Sequence, residues 1–78
     1  MSPEQLRILL HARPFLAFRI VMSSGQSYEI RHPEMALLTR NALFVAQSSN
    51  GADDMPEYAA VCAVLHIAAA EYIPADSR

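Results

Sequence analysis

From Phe18 to Ile30 apolar and polar positions alternate. Phe18, Ile20 and Met22 share one face of an extended segment, and Tyr28 and Ile30 share one face of a second, the period of two that marks half-buried strands. The intervening Ser23-Ser24-Gly25 decides the register. A two-residue loop at Ser24-Gly25 would set Ile20 opposite Glu29 and mix the faces. A three-residue loop sets Ile20 opposite Tyr28 and Phe18 opposite Ile30, with glycine at the left-handed position of a bulged turn. The pattern predicts the second arrangement. It also puts Arg19 across from Glu29 with Arg31 diagonal to the glutamate, an exposed cross-strand cluster worth about 0.2–1 kcal/mol.

Upstream, Ser2, Pro3, Glu4 and Gln5 supply a serine cap, a proline in the first turn, an early acid and a capping-box partner. Leu6, Leu9 and Leu10, with Ile8 and Ala12, form an apolar stripe, and Pro14 turns Arg13 away from helical dihedrals. These signals predict a helix over 3–12. At about three turns it is marginal alone in water and must lie on the rest of the domain. Strands are predicted over 16–22 and 26–32, ended by Pro33, which lacks a ladder donor. The run EMALLTRNALFVAQ then predicts strands over 35–39 and 42–47, around Thr39-Arg40-Asn41. Residues 48–57 form a polar, aperiodic segment expected to be a mobile loop, and the tail from Pro74 is expected to fray. In the last third, Asp54 with Glu57, Pro56 and the following alanines favour a helix from about Met55 to Ile73. Val61, Cys62, Val64, Ile67 and Ile73 favour strands instead, and the local signals lean towards helix.

Composition adds bounds. A chain of 78 residues is one domain, able to hide only about 60% of its unfolded surface. Apolar residues make up 53% of it and charged ones 18%, so a packed fold is expected, with more apolar material than a small core absorbs. Part of that excess, much of it alanine, is expected in an interface between identical chains. The formal charge is −2, from eight acids and six scattered arginines with no lysine, a poor match to nucleic acid. One cysteine and no secretory signal imply a cytoplasmic protein. The longest apolar run, Ala59 to Ala70, falls short of the roughly 20 residues that cross a bilayer.

Candidate chemistry is sparse. His32-Pro33-Glu34 pairs an imidazole with a carboxylate at a kink, but one histidine beside one acid lacks the nucleophile or third ligand that catalysis or metal binding requires. Cys62 and His66 would meet on a helix yet lie roughly 13 Å apart on a strand. Phe15 and Phe18 are expected to pin the helix to the sheet, or to line an apolar groove. The binding candidates are therefore Arg19, Tyr28, Arg31, His32 and Glu34, with no catalytic residue, metal or cofactor assigned.

The run LLHARPFLAFRIVMSSGQSYEIRHPEMALLTRNALFV, with LHIAAAEYI after it, resembles a group of short bacterial proteins of unassigned function. That group shares a leading helix, an ARPF.PF.I strand, a turn with Asp-Gly, a His-Pro-Glu and a late HI..IE. Ala17 stands here where the group usually has proline, and Ser24 where its turn usually has aspartate; Gly25 is kept. The resemblance implies strands for Val61 to Ile67 and Glu71 to Ile73, hence strands over 60–67 and 70–73. The fold class expected is α+β: an N-terminal helix packed on a small, strongly bent antiparallel sheet or partly open five-stranded barrel. Its architecture is analogous to the Sm-like and SH3-like barrels. The functional expectation is a non-enzymatic module that binds protein, its own copies included. The alternative is an RNA-binding small barrel using Arg19, Tyr28, Arg31 and Arg40.

Overall fold

The computed structural model describes residues 1–47 and 56–74. The fold is α+β. One helix, α1 (Pro3–His11), precedes strands β1 (Phe18–Met22), β2 (Ser27–Ile30), β3 (Ala36–Leu38), β4 (Ala42–Gln47), β5 (Tyr58–Ala63) and β6 (Ile67–Tyr72). The strands form two antiparallel three-stranded sheets, in the orders β2-β1-β6 and β3-β4-β5. Two short 3-10 turns, Pro33–Met35 and Val64–His66, carry the chain from one sheet to the other and back.

Helix α1 starts where its cap places it. The Gln5 amide donates to Ser2 Oγ at 3.2 Å and the Ser2 amide donates to Gln5 Oε1 at 3.0 Å, so two otherwise unpaired donors of the first turn are satisfied reciprocally. It ends at an extended Ala12, just before a cis Arg13-Pro14 bond. Leu6 is its fully buried residue. At the hairpin, Phe18 pairs with Ile30, Arg19 with Glu29 and Ile20 with Tyr28. The Met22 amide donates to the Gln26 carbonyl at 2.7 Å, enclosing Ser23-Ser24-Gly25, and Gly25 has φ 98°. The loop is thus the three-residue form that alternation requires.

Residues 58–72 correct the lean towards helix, because they are two strands rather than one helix from Met55 to Ile73. On β5, Ala60 and Cys62 face Val45 and Leu43; on β6, Ala70 faces Ile20. The high helix propensity of alanine amounts to tenths of a kcal/mol per residue. Leaving the backbone edges of both β1 and β4 unpaired costs far more, and tertiary pairing prevails. The strand bounds also differ from those expected. A single strand over 60–67 is broken by the turn Val64–His66, and β6 begins at Ile67 rather than near residue 70. The segment expected to be a mobile loop, 48–57, lies outside the described residues except for Pro56 and Glu57, as does the tail beyond Pro74.

The core gathers Leu6 of α1, Phe18, Ile20, Ile30 and Ile67 of the first sheet, Leu43, Val45 and Cys62 of the second, and Val64 between them. Among the described residues no polar or charged side chain is buried. No helix among them is long and apolar enough to cross a membrane.

Candidate functional site

The five binding candidates separate into three places. Arg19, Glu29 and Arg31 lie together on the outer face of the first sheet, where β1 lies between β2 and β6. The register sets Arg19 beside Glu29 on one side and Glu71 on the other. Its guanidinium reaches Glu29 Oε2 at 3.1 Å and Glu71 Oε1 at 3.4 Å, while Arg31 reaches Glu29 Oε1 at 3.0 Å. The hydrogen bond from Arg19, reinforced by Arg31, holds the Glu29 carboxyl below the usual carboxylate range. Two arginines and two glutamates thus satisfy one another, which leaves this face polar but without spare charge.

Tyr28 belongs to the opposite side. It packs partly buried against the core, with its hydroxyl 3.5 Å from Gln26 Oε1. His32 caps the first 3-10 turn without a side-chain hydrogen bond. Glu34, within that turn, lines a groove of about 660 Å³ between the end of α1 and β3. Arg7, His11 and Arg13 line the same groove, with Leu10 and Phe15 among its apolar residues. Arg7 is already held by Glu4 at 2.7 Å. Phe15 stands against Phe18, ring centroids 6.0 Å apart, and is a groove residue.

The third surface is the outer face of the second sheet. Leu37 of β3 pairs with Phe44 of β4, and Phe44 pairs with Val61 of β5, so three apolar side chains form one row across the sheet. Ala42 with Ala63 and Ala46 with Ala59 flank the row on the same face. None of these seven side chains carries a charge or a hydrogen-bonding group. Leu37 is 64% exposed and Val61 65%, although an apolar face of this continuity is normally covered. Just past β5, Leu65 is 90% exposed.

Reasoning from sequence did not single out this face, yet its signal is present. ALL, ALFVA and YAAVCA are apolar at both parities, the pattern of strands buried on two sides. Glu71 was missed for a different reason: it meets Arg19 only through the pairing of β1 with β6, 52 positions apart.

Chemically, among the described residues the Ser2, Ser24 and Thr39 hydroxyls engage backbone groups. Burial pushes the Cys62 thiol up, which disfavours the thiolate that reacts. No cluster of three histidine, cysteine or acidic residues suited to a metal ion occurs among them. Comparison with known proteins finds no matching family model, no matching curated protein and no matching solved structure.

Proposed function

We propose that this chain is a small non-enzymatic interaction module that binds protein, and that its own copies are among its partners. The observation that carries the reading is the uncharged outer face of the second sheet, with Leu37, Phe44 and Val61 in one row. Water-exposed apolar surface of this kind marks contact sites on small proteins. The finer architecture proposed is a partly open five-stranded barrel of Sm-like or SH3-like type, in which β2 and β3 are two halves of one bent strand. Support for it comes from the short, five-residue break between those halves and from the return of β6 to β1. Kinship with the short bacterial proteins described above, and a cytoplasmic location, belong to the same proposal.

RNA binding through Arg19, Tyr28, Arg31 and Arg40 draws less support. Arg19 and Arg31 are neutralised by Glu29 and Glu71, Tyr28 packs towards the core, and the formal charge is −2. Phosphate contacts need cations that are not already engaged.

Gel filtration with light scattering, run over a series of protein concentrations, tests the reading. The mass is expected to rise above the 8.6 kDa of one chain as concentration increases. A strictly monomeric protein at the highest attainable concentration, together with no partner retained by the immobilised chain from a bacterial lysate, would overturn it.

A further inference from the structure

We infer that the open edge of β5 pairs antiparallel with β5 of a second copy, with Val61 on the two-fold axis. This rests on the self-association reading and assigns it a contact. β5 ends the order β3-β4-β5, so among the described residues one of its edges is taken by β4 and the other by no strand. The hydrogen bonds fix which residues face outward. The Thr39 amide donates to the Ala42 carbonyl, and the Val64 amide donates to the Asn41 carbonyl. By the alternation of an antiparallel ladder, Ala42 and Phe44 then direct their backbone groups to β3, and Leu43 and Val45 direct theirs to β5. On β5, Ala60 and Cys62 answer β4, while the N–H and C=O groups of Ala59, Val61 and Ala63 point away from it. All three of those residues are exposed.

This edge lacks the usual protection. Proteins guard open edges with charges, proline, bulges or short length, and Tyr58–Ala63 contains no proline and no charged residue. The other edges are guarded: β2 carries Glu29, β6 carries Glu71, and β3 is only three residues long. At ~3.4 Å per residue, six residues give a ladder of about 20 Å.

A second copy fits this edge because the edge is its own complement. With Val61 opposite Val61 of the other copy, Ala59 meets Ala63 and Ala60 meets Cys62. Every pair is small or branched and uncharged, so no like charges meet across the axis. A charged partner would find no counter-charge between Ala59 and Ala63. The same pairing extends the row Leu37, Phe44, Val61 into its copy across a six-stranded sheet, and a two-fold contact closes on itself without forming a fibre. A standard interface covers about 800 Å² per partner, roughly one-seventh of the 5490 Å² accessible surface of this chain. One strand ladder is smaller than that, so a reversible, concentration-dependent dimer follows.

Hydrogen exchange followed by NMR at low and high protein concentration tests this without altering the chain. The Ala59, Val61 and Ala63 amides are expected to slow at least about tenfold as dimer forms, while the already bonded Ala60 and Cys62 amides change little. Two variants separate this contact from other modes of association. Val61→Lys puts two cations at the axis on an exposed site and is expected to weaken the dimer at least about tenfold, with its thermal melt confirming the fold. Leu37→Lys, on the same face but two strands from the edge, is expected to leave the dimer in place. Free exchange of the three amides in a dimeric sample, a dimer unaffected by Val61→Lys, or equal loss with Leu37→Lys would overturn the edge contact while self-association stands. A monomer at every concentration would overturn both.

Discussion

At the scale of single residues, Gly25 and Arg19 separate backbone strain from surface charge. Gly25 holds φ 98° and no atom lies within 4 Å of where a Cβ would be. The cost of Gly25→Ala is therefore the left-handed backbone alone, about 1–2 kcal/mol. Arg19→Ala removes contacts to two exposed carboxylates and leaves Glu29 still paired with Arg31, so it should cost about 1 kcal/mol or less. In a domain of this length each kcal/mol shifts the melting temperature by about 4–8 °C, and Gly25→Ala is expected to show the larger drop. A larger drop for Arg19→Ala would mean that the ion-pair array is more than surface. Acid should narrow the gap between wild type and Arg19→Ala. The Glu29 pKa is depressed in the folded state, so the stabilisation is present above the unfolded value of about 4.3 and fades as pH falls through the folded one. Melts at neutral pH and near pH 3 would read both effects.

At the scale of elements, α1 depends on its cap and on one buried leucine to different degrees. Ser2→Ala loses one bond of the capping box and should cost about 1 kcal/mol. Leu6→Ala empties a fully buried site and should cost about 2–5 kcal/mol, a large share of the ~4–12 kcal/mol expected for a domain of this size. Urea denaturation would rank the two, and near-equal costs would mean that α1 rests on the sheets only loosely. The same contrast accounts for what the sequence could tell. The helix and the hairpin were legible because Ser2, Gln5, Pro14 and Gly25 act on neighbours a few residues away. β5 and β6 were not legible in the local signals, because alanine satisfies either conformation locally and the deciding partners, Leu43, Val45 and Ile20, lie 15 or more positions distant. The charged part of the candidate site was half legible: Glu29 sits across a turn from Arg19, and Glu71 across most of the chain.

At the scale of the whole molecule, the two sheets present opposite surfaces, one balanced by ion pairs and one bare of polar groups, around a shared core. Their connectivity also has a kinetic consequence. The β1–β2 and β3–β4 pairings are local, and β4–β5 follows in sequence, whereas β1 meets β6 only after more than half of the chain has intervened. Closing about 50 residues costs roughly 2 kcal/mol more in chain entropy than closing about five, a cost met before the β1–β6 contacts form. Folding should therefore begin with the hairpin and the β3-β4-β5 meander, and the last strand should anneal after the rate-limiting barrier. Leu43→Ala in β4 is expected to slow folding, giving an intermediate or high φ-value, while Ala70→Gly in β6 should act mainly by speeding unfolding, with φ near zero. The reverse order in stopped-flow measurements would mean that the chain ends meet early. If the expected order holds, each chain spends its folding time with β1 open along one side, and the alanines of β6 are the final closure that removes that edge from reach of other chains.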